Sequence, residues 1–198
     1  MTGVQTCALP IFLVGADLAA APAPSLQVPL KALARGAALV AGVEATRLEE
    51  VLERLRRPDL RLTEDELTFI GLVFVLRAAD VRGAPARRVT ALHYVRPLAR
   101  DPGGHLQRLG PAVLATWDAA SDAFEDFSWG IAAELAGRAG LRPADLDRDI
   151  AQRARYLDGL VGRGILAAAD VRTAIERFGT AHDGGPRRAA FDGPLDRA

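Results

Sequence analysis

Apolar positions in the first half of the chain fall in short unbroken runs, whereas in the second half they recur at helical spacing. Phe12, Leu13, Val14 and Gly15 form a short apolar run closed by glycine, the pattern of a strand buried in a parallel sheet. An alanine- and proline-rich connection follows. Residues 28–34 predict a short helix that stops at Gly36, and residues 37–42 predict a second buried strand. Thr46 and Glu49 are spaced as a capping box, in which a hydroxyl and a carboxylate satisfy the orphan N–H groups of a helix start. The helix so opened places Leu48, Val51, Leu52 and Leu55 on one face and ends before Pro58. Strand, helix, strand, helix in this order predicts an α/β layer.

Thr63 and Glu66 form a second capping box and open a helical turn. It leads into residues 69–76, whose β-branched and aromatic content favours a buried strand. Residues 82–85 predict a turn, 88–95 a strand with polar positions interspersed, and 101–104 another turn. Residues 111–117 predict a third strand and 118–122 a loop. This portion has the pattern of an antiparallel meander attached to the α/β layer. Beyond Phe127 the period becomes helical, with one helix over residues 129–139 closed by Gly140. Pro143, at a first helical position, opens a long helix through Leu160. Asp170 is placed to cap a last helix over 171–178, with Val171, Ala174, Ile175 and Phe178 at helical spacing. Residues 179–198 are rich in Gly, Pro, Arg and Asp, which predicts a disordered tail.

Composition narrows the classes of function. An apolar fraction of 49% is ample for a packed core. The 25 basic and 25 acidic residues cancel, which argues against nonspecific nucleic-acid binding, since that needs excess cationic surface. Lys31 is the sole lysine, and the arginine dominance fits a GC-rich genome. The one cysteine, Cys7, rules out an internal disulfide and a cysteine-based zinc site within the chain. No apolar run approaches the roughly 20 residues that span a bilayer.

The first residues invite two readings. A signal peptide would have its small residues at Ala19, Ala20 and Ala21, but a charged start is missing, Pro10 interrupts the apolar stretch and Asp17 falls inside it. Residues 1–11 instead resemble the conceptual translation of a sequencing-adapter oligonucleotide. On that reading Cys7 is an artefact and the genuine reading frame enters near Phe12.

Two stretches carry a family resemblance. The first comprises residues 115–124 with Trp117-Asp118, residues 131–140 ending Ala139-Gly140, residues 153–165 ending Gly164-Ile165, and residues 171–178. The second is residues 12–77. Together they resemble the type II/IV secretion-system ATPases, the hexameric motors of pilus assembly and macromolecule export, in their archaeal-type and tight-adherence branch. The first stretch is similar to that branch's C-terminal region. The second is similar to the span from the Walker B strand, through the strand carrying the histidine box, to the next core strand. The resemblance implies an α/β fold: a partial RecA-like (P-loop NTPase) core lacking its Walker A half, with antiparallel strands and a C-terminal helical region. It divides the chain into a nucleotide-domain remnant over 12–117, a helical region over 118–178 and the tail. It also implies a cytoplasmic location peripheral to the inner face of the membrane. The family's partners are other copies in a hexameric ring and membrane platform proteins, not nucleic acid, and its cofactors are ATP and Mg.

The chain departs from the family at the chemistry. Family members carry Gly-x-x-x-x-Gly-Lys-[Ser/Thr], whose amides cradle phosphates while the lysine neutralises them. Lys31 has no glycine loop before it. The Walker B strand normally ends Gly-Glu; here it is Gly15-Ala16-Asp17, with Asp17 one residue displaced. The histidine box is replaced by Gly42-Val43-Glu44-Ala45, and a carboxylate cannot donate to a phosphate and repels it. Gly15, Asp17 and Glu44 are therefore the candidate nucleotide-site residues, in degenerate form. The parent family is enzymatic, but this chain is expected to bind no cofactor and to be inactive alone.

Other constellations have plainer explanations. His93, Asp101 and His105 surround a turn without a recognised metal-ligand spacing; polar fillers in a meander explain them, with His93 sharing a face with Val89, Ala91 and Val95. Arg87-Arg88 and Arg187-Arg188 suit a solvated surface. Trp117 and Trp129 suit a core. Ser121 and Ser128 lack a histidine–acid arrangement. Glu134, Asp145, Asp147 and Asp149 lie at helix starts, where negative charge meets the dipole. The competing functions are a noncatalytic helical protein-interaction module, a small arginine-rich nucleic-acid-binding protein, and a hydrolase built on His93 and His105.

Overall fold

The computed structural model describes residues 11–17, 22–33, 37–81 and 83–182. The chain is a mixed α/β protein with a four-stranded antiparallel sheet, and it divides into two compact units, Met1–Trp129 and Gly130–Ala198.

The first unit begins with strand β1 (Ile11–Asp17), helix α1 (Ala23–Leu33) and strand β2 (Ala38–Gly42), with β2 parallel to β1. Parallel neighbours need a crossover, and α1 supplies it. The helix starts five residues earlier than the apolar pattern predicted, inside the alanine- and proline-rich segment, because that segment also buries Leu26. The expected stop at Gly36 lies outside the described residues.

Helix α2 (Leu48–Leu55) follows, and its start corrects the first capping box. Glu50, not Glu49, reaches back: it accepts from the Thr46 amide at 2.8 Å and from the Thr46 hydroxyl at 2.9 Å. Four residues, not three, separate the partners because Arg47 stands at the cap position in extended backbone and the helix begins one residue later. The second box is present as predicted. Thr63 caps α3 (Glu64–Leu67), accepting from the Glu66 amide at 3.2 Å while Glu66 accepts from the Thr63 amide at 2.7 Å. Leu26, Leu30, Leu55, Leu60 and Leu67 from these helices and their linker form one buried cluster, against which Leu39, Ala41 and Val51 pack.

The predicted strand over 69–76 is displaced. Thr68–Ile70 prolongs α3 as a 3₁₀ turn, with the Thr68 hydroxyl donating to the Asp65 carbonyl at 2.7 Å. Strand β3 (Leu72–Val81) begins after Gly71 and runs into β4 (Ala84–Tyr94) through a hairpin. Strands β5 (Ala99–Arg100) and β6 (Leu106–Gln107) form a small hairpin of their own. Strands β7 (Ala112–Asp118) and β8 (Ala123–Asp126) complete a sheet in the order β3-β4-β7-β8. Strand β8 was not anticipated: its four residues are all exposed, so no apolar alternation marks it. The register shift between Val75 and Leu76 leaves Thr90 as an extra residue in β4 and sets Val89 off the alternation of Ala91 and His93, while the shift between Leu92 and His93 falls on β7, at Leu114; Val95 lies past the end of β4.

Asp122 pins the β7–β8 turn. Its carboxylate takes a two-pronged hydrogen bond from the Arg88 guanidinium, at 3.1 and 3.3 Å, and one from the Trp117 indole at 2.9 Å. Trp117 is thus half-buried with its N–H satisfied. Trp129 is no core aromatic, being 80% exposed at the end of the unit.

The second unit is helical. Helix α4 (Ala132–Arg138) follows a 3₁₀ turn at Ser128–Ile131 and packs on α5 (Pro143–Gly162), which has proline in its first turn as predicted. Both helices end in the same way. The Leu141 amide bonds the Ala136 carbonyl and Gly140 bonds Gly137, while Ile165 bonds Leu160 and Gly164 bonds Val161. This pairing needs a left-handed residue, and Gly140 and Gly164 supply φ of 66° and 70°. Helix α6 (Ala168–His182) corrects the last prediction at both ends. Asp170 lies within its first turn and is not the cap. Gly179, the supposed start of the tail, continues the helix because Phe178 beside it is buried against α5. Phe178 stacks on Tyr156 with ring centroids 4.4 Å apart, and the Tyr156 hydroxyl donates to the Ala174 carbonyl at 2.9 Å. Residues 183–198 lie outside the described residues.

Candidate functional site

The three residues singled out for nucleotide chemistry converge at one place in the backbone. Gly15 and Asp17 lie at the carboxyl end of β1, and Glu44 follows two residues after β2 ends. Because the strands are parallel, both carboxyl ends point the same way, and Asp17 is the register partner of Gly42. In open α/β sheets this edge is where ligands bind. The ladder is irregular there: Val14 pairs with Ala41, but the next pair is Asp17 with Gly42. Gly15 and Ala16 are therefore the extra residues of a bulge, a device that re-aims a strand end. The one-residue displacement of the acidic position noted in the sequence coincides with this irregularity.

The groups present do not fit a triphosphate. Glu44 is exposed and brings negative charge to the strand ends. Lys31 lies in the last turn of α1. A crossover helix runs back from the carboxyl end of the first strand to the amino end of the second, so Lys31 belongs to the opposite end of the layer. No glycine-rich loop with backbone amides leads into a helix at this edge among the described residues, since α1 opens with Ala23 and Pro24. Among the described residues neither an amide cradle nor the ammonium stands at this edge.

The histidine constellation resolves into a turn. The Asp101 carboxylate accepts from the His105 amide at 2.9 Å and faces the His105 ring at 3.3 Å, while the Arg100 guanidinium donates to the Gly104 carbonyl at 2.8 Å. These bonds close the β5–β6 hairpin. His93 sits in β4 between Val73 and Val113. No group of three or more His, Cys, Asp or Glu side chains is arranged to hold a metal among the described residues. Ser121 donates its hydroxyl to Asp118, and that bond, with the Ala120 and Ser121 amides, holds the Asp118 carboxyl below its ordinary range. It is a turn cap and has no nucleophile's geometry.

A second concave feature was not foreseen. A groove of about 580 Å³ lies between β2 and β3, lined by residues 39–43 and 72–76 together with Leu30, Leu33, Val51, Leu55 and Ile70. Its one charged lining residue is Arg47, paired with Glu50 at 3.4 Å. The signal for it was present in the sequence as unbroken apolar runs, which imply burial on every side. The described residues do not provide that burial: Val40 and Leu76 are each 64% exposed and Phe74 is 53% exposed.

No family model matches the chain, and no curated protein matches it. No helix among the described residues is long and apolar enough to cross a membrane.

Proposed function

We propose that this chain corresponds to the second half of a RecA-like nucleotide domain and the helical C-terminal region of a type II/IV secretion-system ATPase motor, in a form that does not bind ATP alone. The observation that carries the reading is the parallel β1-α1-β2 unit, which gathers Gly15, Asp17 and Glu44 at its carboxyl edge. The order of the remaining elements supports it: an antiparallel sheet whose third strand ends Trp117-Asp118, then helices closed at Gly140 and Gly164. On this reading the protein works as a ring on the inner face of a membrane, against platform proteins. Its own contribution is the frame of the site, because a carboxylate stands where a phosphate-facing donor is needed. Isothermal titration of residues 12–198 with ATP and magnesium tests it. No heat of binding is expected, and an affinity in the micromolar range would overturn the proposal.

A noncatalytic interaction module is the second reading, favoured by one observation. Ile150, Leu157 and Val161 are exposed at helical spacing along α5 and make an apolar stripe open to a partner helix. Zero net charge gives no comparable support to a nucleic-acid-binding role.

A further inference from the structure

The β5–β6 hairpin turns through Asp101-Pro102-Gly103-Gly104-His105, and its bonds converge on one peptide linkage. The Asp101 carbonyl, which is joined to the Pro102 nitrogen, accepts from the Gly104 amide at 2.9 Å and is polarised by that fixed donor. The side chain of the same residue is also held. Its Oδ1 accepts from the His105 amide at 2.9 Å, and its Oδ2 faces Nδ1 of the His105 ring at 3.3 Å. A Cβ on Gly103 would stand 3.0 Å from that ring nitrogen and 3.2 Å from Oδ1. Carboxylate and imidazole therefore crowd over the α-carbon next to Pro102, in space that only glycine leaves open. Gly104 closes the turn at a φ of 84°, and the Arg100 guanidinium fixes its carbonyl at 2.8 Å. Turn closure accounts for the backbone bonds, but the imidazole is 84% exposed and has no packing role.

We infer that Asp101–Pro102 is a self-cleavage site, in which Asp101 supplies the nucleophile and His105 the proton. After most aspartates the next amide nitrogen can attack the side-chain carboxyl; proline has no N–H and cannot. Its nitrogen is also more basic than that of a secondary amide and leaves more readily once protonated. A carboxylate oxygen of Asp101 attacks the Asp101 carbonyl carbon and forms a five-membered cyclic anhydride, with the Gly104 amide stabilising the oxyanion. The carbon–nitrogen bond breaks, and its electron pair goes to the Pro102 nitrogen, which takes a proton from the His105 imidazolium. Water then opens the anhydride. It leaves two carboxylates on Asp101, and its protons pass to the imidazole and to the new Pro102 amine. One water is consumed in all. Nucleophile, electrophile and acid belong to one five-residue turn, so the step needs no second molecule to bring them together. The inference asks nothing of Gly15, Asp17 or Glu44, so an ATP titration of either outcome leaves it standing.

The test follows the full chain by intact mass at about pH 5. Two fragments are expected, one ending at Asp101 and one beginning at Pro102, with masses that sum to the chain plus one water. The folded chain should cleave about a hundredfold faster than the same chain unfolded in urea at the same pH. His105→Ala should slow cleavage about tenfold or more with circular dichroism unchanged, and added imidazole should restore part of the rate. Asp101→Glu keeps the charge but would need a six-membered ring, so its cleavage should fall still further. A folded chain that cleaves no faster than the unfolded one would make the turn a plain hairpin closure and overturn the proposal. So would an unchanged rate in His105→Ala, or scission at a different peptide bond.

Discussion

Thr63 shows how much one hydroxyl can settle. It accepts from the Glu66 amide while Glu66 closes back on the Thr63 amide, and α3 is only four residues long. A helix so short has few bonds of its own, so the cap supplies much of what holds it. Thr63→Ala should cost about 1 kcal/mol in urea unfolding of the chain, and Thr63→Ser should recover most of the loss. This box was legible because threonine and glutamate three apart is a local code. The Thr46 box is shifted by one residue from its sequence spacing because Glu49 and Glu50 are adjacent, and only the point at which the backbone turns helical chooses between them. Asp122 was legible to a smaller extent. The sequence marks it as part of a loop, but its partners Arg88 and Trp117 are 34 and five residues away, and distant pairing leaves no local trace.

At the scale of elements, α6 is the clearest departure from its predicted end. Glycine after Phe178 suggested a stop, yet the helix runs on to His182. Phe178 is held between Tyr156 and the Arg153 guanidinium, which lies 5.8 Å from the ring centroid. Burial of an aromatic ring outweighs the roughly 1 kcal/mol that glycine costs inside a helix. Phe178→Ala should therefore destabilise the second unit by about 3 kcal/mol, measured by denaturant unfolding followed through Tyr156 fluorescence or helical dichroism. A loss under about 0.5 kcal/mol would mean that the ring contributes little to holding α5 and α6 together. Strand β8 teaches the complementary lesson. It exists because β7 offers it a ladder, not because its own residues favour a strand.

At the scale of the whole molecule, the resolved carboxyl shifts share one sign. Glu64 is lowered by hydrogen bonding to Arg56, with further help from Arg108. Asp126 is lowered by its bonds to Ser128, and Asp145 by Arg142 and Arg148. Glu50 and Asp118 are lowered by Thr46 and by Ser121. A carboxyl whose folded pKa lies below its unfolded value stabilises the fold fully above the unfolded value, near 4, and that contribution is lost as pH falls through the folded value. Thermal stability should then be flat between about pH 6 and 8 as far as these groups are concerned, and decline below about pH 4. Asp126→Asn should shallow the decline, in melting curves recorded across the acid range. These pairs are mostly exposed, so raised salt should weaken them in neutral solution.

The amino-acid sequence alone determined the kinds and order of most elements: a βαβ start, a meander, a helix ended by Gly140 and a long helix opened by Pro143. Those choices rest on local physics, namely periodicity, caps and the left-handed freedom of glycine, which a short window contains. It also determined that no phosphate-binding loop lies within the chain. Tertiary structure decided the rest. It placed Asp17 opposite Gly42 across a bulge, set Lys31 at the far end of the layer, carried α6 past its glycine, and opened an apolar groove between β2 and β3. Pairing between strands distant in the chain depends on which backbone finds which partner, and an apolar run looks the same in sequence whether or not a neighbour arrives to cover it.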